Sequence, residues 1–124
     1  MHKSQLAGFI IDCKADNLDE AADFWSAALG MKAAAGADES RYRKLENRPE
    51  DMVIEVQKVP HESRVHLDIE TDNIEAEVAR LENLGALRIK NMDRWVVMEA
   101  PTGQRFCVVN PQRANFEQTA NSWN

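Results

Sequence analysis

The sequence lacks any long apolar run, carries only two cysteines and has fewer basic than acidic residues. Its longest apolar runs are far below the roughly 20 residues needed to cross a bilayer, and the first residues, MHKSQ, contain no apolar signal-peptide segment. With 15 Lys and Arg against 21 Asp and Glu, the net charge of −6 repels phosphate backbones and anionic lipids. These absences predict a cytoplasmic protein that binds neither nucleic acid nor membranes, with Cys13 and Cys107 as free thiols.

What the sequence does contain is an internal repeat. Residues 9–19 (FIIDCKADNLD) align with residues 65–75 (VHLDIETDNIE) at an offset of 56 positions, apolar residue against apolar residue. Three identities fall in register: Asp12 with Asp68, and the pair Asp16-Asn17 with Asp72-Asn73. Each copy continues into a segment that ends in Leu-Gly. A chain of 124 residues has the size of one domain, so we expect the two copies to fold together.

The segment after each Asp-Asn pair predicts a helix. In the first copy Asn17 is a typical N-cap, Glu20 completes a capping box, and Gly30 supplies the left-handed residue that ends the helix. Apolar residues recur between them at helical spacing. In the second copy Asp72 or Asn73 caps the helix and Gly85 ends it.

Strand-like segments surround the two helices and are separated by turn residues. They are residues 6–13, 42–45, 52–59, 65–69, 87–89, 95–98 and 106–109. Residues 32–40 predict one further short strand or a loose connection, and residues 112–124 an extended or frayed tail.

Alternation along these strands places apolar side chains toward the helices and polar side chains on the opposite face. In residues 65–69 we expect the apolar side chains to cover the helix and His66 and Asp68 to face away from it. The sequence therefore predicts an α+β fold in which two tandem βαβββ units form a curved mixed sheet around a cleft. We expect one domain over residues 1–124, with units of about 6–60 and 64–111 and a C-terminal tail at 112–124.

Several motifs together resemble the vicinal oxygen chelate superfamily of glyoxalase, bleomycin-resistance and extradiol-dioxygenase proteins. The resemblance covers roughly residues 6–111 and is closest to the glyoxalase-like subgroup. The motifs are FWSAALG at 24–30, VP at 59–60, RVHLD at 64–68, ARLENLGA at 79–86 and WVVMEAPTGQRFCV at 95–108. Their order and spacing are specific for the fold and not for a reaction.

The resemblance implies where a metal would bind, because metal-using members take one ligand from the first and last strand of each unit. The repeat places Ile10, Glu55, His66 and Cys107 at those positions. Ile10 cannot bind a metal, and Cys107 stands where the family usually has Glu. Zinc or a similar divalent ion accepts a carboxylate, an imidazole and a thiolate, so a three-ligand site and a metal-free cleft both stay open.

Five side chains expected on the cleft face are candidates for substrate binding: Tyr42, Trp95, Arg105, Asp68 and Asp12. An aromatic ring there would stack on a flat ligand, and Arg105 would pair with an anionic group. Structural interpretations compete with these, since the rings also suit ordinary strands and Arg105 a solvated rim. His66 is either a ligand or an imidazole held by Asp68, and Cys107 is expected to be a small core residue rather than a nucleophile. No catalytic residue is assigned.

Two functions remain open at this point. One is a small-molecule-binding protein without the full standard metal site, as in bleomycin-resistance relatives. The alternative is an enzyme, a metal-dependent lyase or isomerase of the glyoxalase type, or a dioxygenase-like one, in which Glu55 and His66 bind the ion. The resemblance also implies a homodimer, formed side by side or by exchange of units.

Overall fold

The computed structural model describes residues 1–36, 40–46 and 48–124. The fold is α+β, with eight strands in a mixed sheet and two βαβββ-like units, as predicted. The strands are β1 His2–Cys13, β2 Tyr42–Lys44, β3 Val53–Lys58, β4 Arg64–Thr71, β5 Leu87–Asn91, β6 Trp95–Glu99, β7 Arg105–Val109 and β8 Asn121–Trp123. The helices are α1 Leu18–Leu29, α2 Ile74–Asn83 and α3 Phe116–Thr119, with a 3₁₀ turn at Pro49–Asp51. Within the described ranges no helix is both long and apolar enough to span a membrane.

The chain forms two compact units, and β1 runs through both of them. The continuous unit comprises Phe9–Val65, and the split unit comprises Met1–Gly8 with His66–Asn124. The boundary between Gly8 and Phe9 therefore falls inside a single strand.

In the continuous unit, α1 is delimited by the predicted residues. The Asn17 side chain accepts hydrogen bonds from the backbone N–H groups of Asp19 and Glu20, and Gly30 has a φ of 69°. Such a positive φ strains any residue with a side chain, which explains the glycine at this helix end. The strand order is β2-β3-β1, and the core contains Leu18, Leu45 and Val56. Of residues 32–40, Ala33 forms an isolated bridge with Leu45, and 37–39 lie outside the described residues.

In the split unit, α2 packs on the strands that follow it. Asn73, rather than Asp72, caps the helix by accepting a hydrogen bond from the N–H of Ala76. The strand order is β1-β4-β7-β6-β5, with β8 added to β1. Strands β4 and β7 are parallel, and β6 is antiparallel to β7. The core of this unit consists of Val78, Leu81, Ala86, Val96, Met98, Phe106 and Val108.

Two expectations for the split unit were only partly correct: residues 112–124 were expected to be extended or frayed, and the apolar side of β4 to be covered by the helix. The tail is not frayed, because Phe116 is buried and β8 pairs with the start of β1, which begins at His2 rather than at residue 6. The apolar side of β4 is not fully covered, since Val65 and Leu67 are 59% and 43% exposed. Helix α2 lies mainly against β5, β6 and β7, which accounts for the exposure of Leu67 in the split unit.

Candidate functional site

The register between β4 and β7 places three side chains with metal-binding atoms on one face of the split unit. Asp68 lies directly opposite Cys107, and Cys107 in turn lies opposite Val97 on β6. His66 precedes Asp68 by two positions, and residues two apart on a strand share a face. The alternating sequence of β4 therefore positions both polar side chains beside the cysteine.

The donor atoms of His66, Asp68 and Cys107 all lie within 4.8 Å of one another. His66 Nε2 is 3.3 Å from Asp68 Oδ1, and both side chains are largely shielded from solvent. Asp68 Oδ1 makes no hydrogen bond within the described ranges, despite being buried. A buried carboxylate oxygen without a hydrogen bond is costly in free energy, so a cation would satisfy it. Nitrogen, oxygen and sulfur donors together suit Zn²⁺, and three protein ligands leave a fourth position open.

This cluster, which we call the HDC cluster (His66, Asp68 and Cys107), differs from the ligand set implied by family resemblance. Asp68 belongs to the cluster, although it was predicted as a substrate-binding residue. The alternation of His66 and Asp68 on one strand was the signal that could have identified it. Glu55 lies in the continuous unit, half-buried and opposite Lys44 in the β2–β3 ladder. Its role as a ligand stays a prediction. Ile10 is a buried aliphatic side chain and offers no donor atom.

The candidate substrate-binding residues are divided between the two units. Trp95 and Arg105 are in the split unit, where they lie opposite Val109 and Glu99 respectively. Tyr42 and Asp12 are in the continuous unit. The Tyr42 hydroxyl accepts a hydrogen bond of 3.0 Å from Gln57 Nε2, and Asp12 is buried. Substrate binding by these residues stays a prediction.

Glu70, the next polar residue on the same side of β4, is fully buried and fastens the C-terminal segment. Its carboxylate accepts hydrogen bonds from the Gln5 side chain at 2.6 Å and from the backbone N–H groups of Gln112 and Arg113 at 2.5 and 2.9 Å. A carboxylate with this many donors is already satisfied. Glu70 therefore has a structural role beside the HDC cluster.

A cleft of about 880 Å³ lies at the start of α1 in the continuous unit, and sequence reasoning did not identify it. Several of the basic side chains that line it contact oxygen atoms of the chain itself. Lys14 Nζ lies 2.9 Å from Glu62 Oε1, Lys58 Nζ donates to the carbonyl of Asp16, and Arg43 pairs with Asp19. Lys14 and Arg43 thus have acidic partners within the chain and Lys58 has a carbonyl partner, so the HDC cluster is the stronger candidate site.

Comparison with solved structures supports the assignment of the fold. A glyoxalase/bleomycin resistance protein/dioxygenase superfamily member from Vibrio splendidus 12B01 matches with a TM-score of 0.59 and 12% identity, over 87% of this chain and 99% of that one. A hypothetical protein from Bacillus halodurans C-125 also matches with a TM-score of 0.59 and 12% identity, over 98% and 99%. Methylmalonyl-CoA epimerase from Mycobacterium tuberculosis matches with a TM-score of 0.54 and 16% identity, over 86% and 87%.

At these identities the structural matches establish the fold alone. No curated protein sequence matches the chain. Residues 8–109, most of its length, match the family model described as the glyoxalase-like domain. The order of sequence motifs, the βαβββ-like units and this match lead to one conclusion: the chain belongs to the glyoxalase-like domain family.

Proposed function

We propose that this protein binds a small molecule on the face of the split unit that carries the HDC cluster, and that the cluster holds one divalent metal ion. The observation that carries the proposal is the convergence of an imidazole, a carboxylate and a thiol within 4.8 Å on neighbouring strands. Three-residue sites with mixed donors are typical of zinc sites that keep a position open for a ligand. Zinc is therefore the ion that we expect.

When bound, a zinc ion would act as a Lewis acid toward a carbonyl or carboxylate oxygen of the small molecule. The chain positions the donors through its backbone, because Asp68 and Cys107 are direct partners in the β4–β7 ladder. His66 and Asp68 are two positions apart on β4, with His66 Nε2 3.3 Å from Asp68 Oδ1, so both donors lie close to the position of the ion. Ile10 supports a site with fewer than the standard four ligands, since this aliphatic residue stands at the repeat position equivalent to His66.

The alternative function is a metal-dependent lyase or isomerase in which Glu55 joins His66 as a ligand. It is favoured by the similarity in fold to methylmalonyl-CoA epimerases, of which the Streptomyces coelicolor enzyme was solved with 2-nitronate-propionyl-CoA. That enzyme shares 17% identity with this chain and a TM-score of 0.54. Glu55 distinguishes the two functions. The lyase or isomerase alternative requires it as a metal ligand, whereas ligand binding at the HDC cluster does not.

Metal titration of untagged, chelator-treated protein tests the proposal. We expect one equivalent of Zn²⁺ to bind, measured by elemental analysis, and Co²⁺ to give a thiolate-to-metal absorption band. His66→Ala, Asp68→Asn and Cys107→Ser should each weaken zinc binding by more than about 100-fold, beyond the range for partners that only orient a ligand. Matched controls are His61→Ala and Cys13→Ser, which should bind zinc as the wild type does.

Two results of this experiment would change the assignment. Zinc content that stays far below one equivalent, or that is the same in all three cluster variants, would overturn the proposed site. A loss of zinc in Glu55→Gln as large as that in His66→Ala would favour the lyase or isomerase alternative.

We further propose that the protein is a cytoplasmic homodimer. The free thiols of Cys13 and Cys107 support a reducing compartment. Leu84, Leu87 and Ile89 are exposed at the end of α2 and on the edge strand β5, and apolar surface of this kind supports self-association. Light scattering at micromolar concentration should give twice the monomer mass, and a monomer would reject the dimer.

A further inference from the structure

Resting on the proposed function, we infer that the small molecule is a dianion whose second anionic group binds Arg105. One anionic group would occupy the open position at the HDC cluster. The other would bind the guanidinium of Arg105, which precedes Cys107 by two residues on β7.

The strand register sets the spacing between the two positions. Arg105 and Cys107 are two residues apart on β7 and therefore face the same side, with Cα atoms about 6.6–6.8 Å apart. On the neighbouring parallel strand His66 precedes Asp68 by the same two positions. Arg105 thus lies in the row of side chains that neighbours the row formed by Asp68 and Cys107.

Glu99 restrains the guanidinium without saturating it. It lies directly opposite Arg105, and Arg105 Nε donates to Glu99 Oε1 at 3.0 Å. The two Nη nitrogens make no hydrogen bond with any residue that the structure describes, and the Arg105 side chain is 42% exposed. A guanidinium with two free donors is well suited to a carboxylate or phosphate group.

The row on the other side of Cys107 offers no comparable anion site. It consists of Val109 and Trp95, which are direct partners across β7 and β6, and of Glu70 on β4. Glu70 is already satisfied by three donors, so this row presents aliphatic and aromatic surface. The polarity of the face therefore orients a ligand with its second charge toward Arg105 and away from the Trp95 side of Cys107.

Isothermal titration of zinc-loaded protein with linear dicarboxylates and with monocarboxylates of equal carbon number tests the inference. The probes are succinate, glutarate, adipate and pimelate against butyrate, pentanoate, hexanoate and heptanoate. We expect the best dicarboxylate to bind at least about tenfold more tightly than its monocarboxylate, as a hydrogen-bonded charge pair would provide. Affinity should depend on chain length, because the two sites are at a fixed distance.

Variants of the ion pair separate Arg105 from general charge effects. Arg105→Gln should abolish the preference for dicarboxylates, and Arg105→Lys should retain part of it. Arg94→Gln removes the same charge from an exposed position of the split unit and should leave the preference intact. Glu99→Gln should tighten dicarboxylate binding several-fold, because it removes the carboxylate that competes for Arg105.

The failures of the two proposals are distinguishable. If zinc does not bind at the HDC cluster, the proposed function is wrong and the inference falls with it. If zinc binds but dicarboxylates show no advantage, or keep it in Arg105→Gln, only the inference is overturned.

Discussion

His2 Nε2 lies 2.8 Å from Glu77 Oε1, joining the second residue of the chain to a fully buried carboxylate in α2. Arg80 adds two hydrogen bonds of 2.8 Å to the same carboxylate. The Arg80 guanidinium lies 4.0 Å from the centre of the Trp123 ring, and Trp123 Nε1 donates to Ser4 Oγ at 2.8 Å. A single buried acid therefore links both ends of the chain to α2.

Replacement of this acid should destabilise the protein substantially. Glu77→Ala leaves His2 and Arg80 without their partner, and removal of one member of a buried ion pair costs about 3–5 kcal/mol. Because Arg80 is partly exposed, we expect a loss of about 2–4 kcal/mol in the free energy of unfolding, measured by urea denaturation. Glu82→Ala, an exposed position on the same helix, is the control and should change stability by less than about 0.5 kcal/mol. An equal effect in both variants would contradict the role of the network.

The same residue should make stability depend on pH. Burial raises the pKa of the Glu77 carboxyl, but hydrogen bonds from Arg80, His2 and Ser4 together with the charge of Arg80 outweigh it, and the net pKa is lowered. A lowered pKa means that this contribution is complete above the unfolded-state pKa of about 4.3 and is lost as the pH falls through the folded-state pKa. Thermal melts between pH 7 and pH 3 should therefore show a smaller decrease in Tm for Glu77→Gln than for the wild type. Parallel decreases would argue against the assignment.

The C-terminal strand should contribute to stability through Trp123. Trp123→Leu removes the contact with Arg80 and the hydrogen bond to Ser4, and each is worth about 0.5–1.5 kcal/mol. We expect a combined loss of about 1–3 kcal/mol in the free energy of unfolding, measured by urea denaturation followed by circular dichroism. Ser122→Ala, an exposed residue in the same strand, provides the comparison. If Trp123→Leu were as stable as this control, the contacts of Trp123 with Arg80 and Ser4 would not contribute to stability.

The two cysteines should differ in their response to alkylation. Burial raises the pKa of the Cys13 thiol; a hydrogen bond with Trp25 lowers it and the charge of Asp12 raises it further, so the net pKa is raised. The thiolate is the reactive form, so Cys13 should react slowly with iodoacetamide at neutral pH in Cys107→Ser, and rapidly once urea unfolds the protein. Mass spectrometry measures both rates.

In Cys13→Ser, zinc should slow the alkylation of Cys107, and equal rates with and without zinc would count against Cys107 as a ligand.

Most of the secondary structure could be predicted because its causes are local. Asn17 and Gly30 delimit α1 through contacts within a few positions. Because the sequence repeats, the equivalent residue Asn73 could be predicted as a cap of α2. Alternation on β4 likewise placed His66 and Asp68 on one face. These features depend on near neighbours, which a sequence displays directly.

The ends of the chain were not predictable in the same way. His2 and Glu77 are 75 positions apart, and Ser4 and Trp123 are 119 apart, so no local pattern reveals either contact. The place of Asp68 in the HDC cluster also depends on the parallel register with β7, which fixes Cys107 opposite it. Family resemblance indicated positions by analogy and thus selected Glu55, whereas the donor geometry of the split unit selected Asp68.

The division of β1 between the two units makes the chain suited to circular permutation. Because His2 lies opposite Trp123 in an antiparallel pair, the two termini are adjacent, and a short turn could join them into a hairpin. In such a circular chain, His66–Asn124 would continue directly into Met1–Gly8, and each unit would be one uninterrupted segment. Circular permutation of this kind would thus leave both units continuous in sequence.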